Sequence, residues 1–124
     1  MKSAPSWKIY LRKRYTPPTP EVAFENIKAD KKEIQRVFTG MIELGIILKL
    51  HTPEGKPLYF HKKAIEEARK LLIEFFTDHS EMKFFEFREL INSTRKFTTP
   101  LLMYFDAEGL TIRYGDVRVL RKRD

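Results

Sequence analysis

Apolar residues along this chain recur in two kinds of stretch, and the order of the stretches repeats. Across Lys63 to Asp78, Ala64, Ile65, Ala68, Leu71, Leu72, Phe75 and Phe76 return at helical spacing, which predicts one apolar helix face turned to a core. Phe87 to Gly109 then reads as helix–turn–helix. Leu110 to Leu120 reads as a two-stranded hairpin closed by the dipeptide Gly115-Asp116, a pairing suited to a tight turn. A helix, a helix–turn–helix and a hairpin in that order predict a winged helix.

The same plan lies upstream. With Phe24 aligned on Phe87, Phe24-Glu-Asn-Ile27 faces Phe87-Arg-Glu-Leu90, and Ile34, Val37 and Phe38 fall near Phe97, Pro100 and Leu101. One inserted residue later, Leu44-Gly45-Ile46-Ile47 meets Glu108-Gly109-Leu110-Thr111. A first hairpin is expected from Ile47–Leu50 with Leu58–His61, and Trp7, Tyr10 and Leu11 suggest a short helix before the break Thr16-Pro-Pro-Thr-Pro20. The predicted fold class is mostly α with small antiparallel β-hairpins (α+β), arranged as tandem winged-helix domains over 1–62 and 63–124. They meet near His61-Lys62-Lys63 with no flexible linker, so a fixed pair is expected.

Local signals agree with these boundaries. Thr19 can cap a helix whose first residue is Pro20, where a missing N–H costs nothing. Asp30 with Glu33 resembles a capping box, and Gly45 and Gly109 suit helix ends that need a left-handed residue. Pro100 leaves two readings open. A helix starting at Ser93 would carry the proline inside, whereas one starting at Thr99 would hold it at its first position.

Composition narrows the class. The chain has 124 residues, 42% of them hydrophobic, with ten Phe, five Tyr and one Trp, which is ample core material and argues against disorder. A net charge of +7 suits either a polyanionic partner or simple solubility. With no cysteine, disulfides and thiolate metal sites are excluded. No signal-peptide core and no membrane-length apolar run is present, so a soluble cytoplasmic protein is expected, without a membrane partner. His51, His61 and His79 share no metal-ligand spacing, the paired carboxylates Glu66-Glu67 and Glu86/Glu89 are usual on solvated helices, and the five glycines form no phosphate loop. No nucleophile is marked by a base. The expectation is recognition rather than catalysis, with no cofactor and no metal.

Cations cluster on the second module. A two-residue turn sets Arg113 opposite Arg118 and Tyr114 opposite Val117, with Ile112 and Val119 predicted to face inward and the arginines outward. Like charges side by side call for an anion: a phosphate, or an internal acid such as Asp116 or Glu108. The phosphate is preferred because Arg121-Lys122-Arg123 extends the strip. Ser93 and Thr94 provide the turn into the second helix, and Arg95 and Lys96 occupy its first turn, against the usual preference for acids there. The alternative is a surface pair tied to Glu89 or Asp106. Arg88 on the preceding helix can join the patch. Tyr114 and Phe97 could stack on a base, though core packing is the commoner role. In the first module, Lys28, Lys31, Lys32 and Arg36, with Arg12-Lys13-Arg14, are compatible with an RNA or ribosome contact. A solvated face on a spacer is slightly preferred.

Phe87-Arg-Glu-Leu90, Thr94-Arg-Lys-Phe97 with Pro100-Leu-Leu102, Tyr104-Phe-Asp106 with Glu108-Gly109, and Gly115-Asp-Val-Arg-Val-Leu-Arg121 together resemble the C-terminal end of the bacterial selenocysteine-specific translation elongation factors, the SelB family. The order and spacing hold across the last forty residues. The preceding module, including Leu58-Tyr-Phe-His61, resembles that family's penultimate winged-helix domain more loosely. The resemblance implies an RNA-binding C-terminal piece of such a factor, reading the selenocysteine insertion hairpin of selenoprotein mRNA during UGA recoding. Its contacts would be Arg88, Ser93, Thr94, Arg95, Lys96, Arg113, Tyr114, Arg118 and Arg121, with the first module as arm towards the ribosome. The piece lacks GTPase motifs and is expected to bind neither GTP nor charged tRNA. The main rival is a winged-helix DNA-binding transcriptional regulator, which would usually dimerise; no dimer helix is visible, so a monomer is expected. A protein-interaction module is the third class.

Overall fold

The computed structural model describes residues 7–25 and 27–121. The first module holds α1 (Trp7–Lys13), α2 (Pro20–Ala23), α3 (Lys31–Glu43), β1 (Ile47–Leu50) and β2 (Leu58–His61). The second holds α4 (Lys62–Asp78), β3 (Met82–Lys83), α5 (Phe84–Leu90), α6 (Arg95–Ala107), β4 (Thr111–Tyr114) and β5 (Val117–Leu120). β1 and β2 pair antiparallel, and the second sheet has the order β3-β5-β4, also antiparallel. β3 was not expected, because a two-residue strand is too short for alternation to register. None of the helices among the described residues is long and apolar enough to cross a membrane.

The repetition extends to the hydrogen bonds at the helix ends. After α3, the N–H of Gly45 donates to the Ile42 carbonyl and that of Ile46 to Met41; after α6, Gly109 donates to Asp106 and Leu110 to Phe105. Each pair closes the same motif, which requires a left-handed residue just past the helix, and the glycines have φ of +77° and +85°. N-termini are less alike. Thr19 accepts from the Val22 N–H at 3.3 Å with Pro20 at the first position of α2, but Asp30 and Thr94 make no side-chain cap bond.

Pro100 lies inside α6, so of the two readings the internal one holds, with the helix starting at Arg95. Proline removes the N–H that would reach the Lys96 carbonyl. Nearby, the buried Thr98 returns its hydroxyl to the Thr94 carbonyl at 2.7 Å, which satisfies a polar group sealed in the core.

Tyr10, Phe24, Phe38, Met41 and Ile47 form one core, in which Phe38 meets Phe24 and Tyr59 edge-on at 5.6 and 4.8 Å. A larger core runs from Ile65, Ala68 and Leu72 through Phe87, Leu101, Leu102 and Phe105, and continues into the first module at Leu50, Leu58 and Phe60. The pleat explains this. Side chains alternate across a strand, so Ile47 and Tyr59 face the first core while Leu48, Leu50, Leu58 and Phe60 face the second. The first hairpin is thus a partition buried on both sides. Arg14 pairs with Glu67, and the Ser93 hydroxyl donates to the Tyr15 carbonyl at 2.5 Å. Both contacts add polar ties between the modules.

Candidate nucleic-acid interface

α6 is built so that one face is core and its first turn is not. Thr98, Pro100, Leu101, Leu102 and Phe105 are buried, whereas Thr94, Arg95 and Lys96 are exposed. The Arg95 guanidinium lies 4.5 Å from the centre of the Phe84 ring, and the Lys96 ammonium 5.3 Å from that of Phe97. Such contacts fix a cation's position without neutralising it. Among the described residues the ion pairs are Arg14–Glu67, Arg69–Glu108 and Arg118–Asp106. Neither Glu89 nor Asp106 therefore ties Arg95 or Lys96. Two charged groups, anchored on aromatic rings, stand at a helix end whose first turn holds no acid.

Ser93 and Arg88 differ from this pattern. Ser93 is half-buried and its hydroxyl is taken by Tyr15, so it positions the turn rather than presenting a donor outward. Arg88 is half-buried in the last turn of α5, and its carbonyl accepts the Ser93 N–H at 3.2 Å.

The second hairpin has the expected register, Arg113 opposite Arg118 and Tyr114 opposite Val117. Its faces are reversed. Thr111 and Arg118 point inward and are buried, whereas Ile112 and Tyr114 on the other face are 37% and 59% exposed. Arg118, expected on the outer surface as an RNA contact, is 8% exposed. Its Nε and Nη2 donate to the Asp106 carboxylate at 2.8 to 3.1 Å, and the Thr111 hydroxyl donates to the same carboxylate at 2.6 Å. The cause is Asp106, near the end of α6. A buried guanidinium is tolerated when a carboxylate receives it in a two-pronged arrangement. β3 runs alongside, with Met82 opposite Arg118. The anion called for by the arginine pair is therefore internal, and it is neither of the acids first considered. Glu108 is itself held by Arg69 at 2.9 and 3.0 Å, bonds that raise the arginine's pKa.

Withdrawing Arg118 leaves Arg113 and Arg121 as the exposed cations of the wing. The Arg113 Nε donates to the Gly115 carbonyl at 2.9 Å, which lays the side chain along the turn. Arg121 is exposed, its N–H donates to the Leu110 carbonyl, and its Nη1 lies 3.1 Å from where a side-chain carbon on Gly109 would sit. Lys122 and Arg123 lie outside the described residues. No three His, Asp or Glu side chains gather as a metal site among the described residues. The histidines sit apart: His79 stacks on Phe75 at 4.0 Å and His61 caps α4.

Two helix–turn–helix units, each closed by a hairpin, with unneutralised cations on the second helix and wing of the latter unit, define a tandem winged-helix protein with a basic face. Residues 74–120, within the second module, match the family model described as Elongation factor SelB, winged helix. Over 114 residues the chain is 33% identical to the selenocysteine-specific elongation factor of Desulfomicrobium baculatum; the match takes in 92% of this chain and 17% of that protein. Among solved structures, the mRNA-binding domain of elongation factor SelB from E. coli, in complex with SECIS RNA, matches with a TM-score of 0.67 at 20% identity, over 97% of this chain and 100% of that one. A bacterial selenocysteine-specific elongation factor, EF-Sec, matches at 0.62 and 24% identity, over 82% of this chain and 15% of that one. The likeness to these two structures is one of fold.

Proposed function

We propose that this chain is the mRNA-reading end of a selenocysteine-specific elongation factor and binds the selenocysteine insertion hairpin through its second winged helix. The observation that carries the reading is the pair Arg95 and Lys96: exposed, seated on Phe84 and Phe97, and without a carboxylate partner among the described residues, on a module that matches the SelB winged-helix family model. Thr94, Arg113, Tyr114 and Arg121 extend the surface, and Arg88 borders it. The GTPase chemistry and ribosome association belong to the whole factor, of which this chain corresponds to a small share, and the site of action is the cytoplasm.

The chemistry suits RNA. An A-form stem hides its major groove, so a reader relies on phosphates, shape and unpaired bases. Cations on a helix start and a hairpin provide two edges for a stem. Four phosphates neutralised would make log affinity fall with log salt at a slope of roughly −3 to −4. The test is titration of a selenoprotein mRNA hairpin and a DNA duplex at matched salt. Arg95→Ala with Lys96→Ala is expected to weaken hairpin binding by about a hundredfold or more. Unchanged affinity in the folded double variant, or preference for the duplex, overturns the reading.

A further inference from the structure

The turn that delivers Arg95 and Lys96 is held from three sides. At the end of α5, Asn92 takes the left-handed conformation, with φ of +49°. The N–H groups of Asn92 and Ser93 donate to the carbonyls of Glu89 and Arg88 at 3.1 and 3.2 Å, the closure expected of such a helix end. On the α6 side, the Thr98 hydroxyl and the Phe97 N–H both donate to the Thr94 carbonyl. The third tie leaves the module: the Ser93 hydroxyl donates to the Tyr15 carbonyl at 2.5 Å, across 78 residues of sequence. Tyr15 is itself fixed to the second module. Its ring packs against the larger core, and its neighbour Arg14 pairs with Glu67 of α4. Arg14 has a φ of +25°, a conformation that a residue with a side chain keeps only where its surroundings over-determine it. The buried Tyr15 hydroxyl has no partner among the described residues, so the residue holds the turn through its carbonyl.

Resting on the proposed function, we propose that Tyr15 and Ser93 are positioning residues for the RNA site: the segment after α1 holds the start of α6, and with it Arg95 and Lys96, in the binding geometry before RNA arrives. Thr94 makes no side-chain cap bond, so the helix start lacks a local fastening, and the tie to the first module takes over that role. A site ordered beforehand loses less freedom on binding and therefore binds more tightly. Through these residues the first module sets affinity without itself contacting RNA.

The test titrates the selenoprotein mRNA hairpin with the whole chain and its variants. Ser93→Ala is expected to weaken binding about three- to tenfold, the effect of one hydrogen bond, with the salt slope unchanged because no cation is lost. In the free variant, the amides of residue 93 and Phe97 should exchange faster with deuterium, a change that loss of a direct RNA contact would not cause. The amides of α4 should keep their protection, which separates a loosened turn from general unfolding. Glu67→Gln sets positioning against simple electrostatics. Removing an acid from a basic protein should tighten its hold on a polyanion, whereas freeing Arg14 loosens the segment and is expected to weaken binding about twofold. With Ser93→Ala added, the combined loss should be smaller than the product of the two, since both act through one segment. Tyr15→Phe, which removes the unpartnered hydroxyl and keeps the carbonyl, should bind as the wild type does. Unchanged affinity or unchanged exchange in Ser93→Ala, tighter binding by Glu67→Gln, independent effects in the double variant, or a loss in Tyr15→Phe overturns the positioning role and leaves the proposed function standing. Failure of the wild type to bind the hairpin overturns the proposed function itself.

Discussion

The two hairpins share one plan and are put to opposite uses. In the first, both faces are buried: Ile47 and Tyr59 against one core, Leu50, Leu58 and Phe60 against the other. In the second, only the face holding Thr111 and Arg118 is covered; Ile112 and Tyr114 on the other face meet solvent, as does Arg113 beside the turn. The difference comes from the neighbouring element. The first hairpin runs directly into α4, whose start is tied back by the Lys62 N–H to the Ile46 carbonyl, so the next module closes over the free face. Nothing among the described residues covers the outer face of the second. A wing becomes internal partition or open surface according to its neighbour, not its own strand pattern.

The largest effect expected from this contrast is on stability. Phe60→Ala empties a fully buried site shared by two modules and is expected to cost about 3–5 kcal/mol. Chemical denaturation should show one cooperative transition moved to lower denaturant. Two separated transitions would mean that the modules do not share a core. Tyr114→Ala, in the second hairpin, is expected to change stability by less than about 0.5 kcal/mol.

Next in size is Arg118→Ala, which strands Asp106 within a half-buried site and should cost about 3 kcal/mol. Replacing both partners, Asp106→Leu with Arg118→Leu, is expected to recover much of that loss, because apolar groups need no partner. If Arg118 reached RNA directly instead, the single variant would lose hairpin affinity while melting as the wild type does.

The reversal of the second hairpin shows where reading a sequence stops. Both winged helices, the turn at Gly115-Asp116 and the two glycine-bearing helix ends were legible, because each has a local cause: a period, a tight turn, a left-handed residue. The pairing of Arg113 with Arg118 was legible too, since the turn sets the register. Which face turned inward was not. Hydrophobicity favours Ile112 and Val119 inside, yet Asp106, reaching from the end of α6, draws Arg118 in and the strand turns with it. The only signal was Asp106 itself, twelve residues upstream and on another element. Likewise Arg95 and Lys96 could be placed on the helix start, but their freedom from carboxylates needed the third dimension. A cleft lies between the loop of the first hairpin and the start of α6, and no local pattern shows it, because Lys56 on one wall and Arg95 and Lys96 on the other are far apart in sequence.

Arg113 sharpens the contrast at smaller scale. It is exposed on the open hairpin and bonded only to the Gly115 carbonyl among the described residues. Arg113→Ala should leave the melting curve in place, weaken hairpin binding about fivefold and reduce the salt slope by about 1. Lys49→Ala, the exposed cation of the covered hairpin, should change neither. Equal losses at the two positions would erase the distinction between an open wing and a closed one.

The smallest expected effect is a pH dependence confined to the first hairpin. His61 ends β2 and caps α4, its Nδ1 accepting the Lys63 N–H at 3.0 Å. Burial lowers its pKa below the usual histidine value of 6.5, helped by the charges of Lys63 and Lys62 against an opposing pull from Glu66. A lowered pKa in the folded state means that the unfolded chain takes up its proton first. The stabilisation is therefore complete above about pH 6.5 and is lost as pH falls below it. Protonation also removes the cap's acceptor, worth up to about 1 kcal/mol. Urea midpoints for the wild type should fall between pH 7.5 and pH 5.5, while His61→Asn, which keeps a capping oxygen and cannot titrate, should show a smaller fall. The second hairpin ends in Leu120 at the equivalent place, opposite Thr111, and carries no such switch. An identical decline in wild type and variant would assign the effect to carboxylates elsewhere and remove His61 from the account.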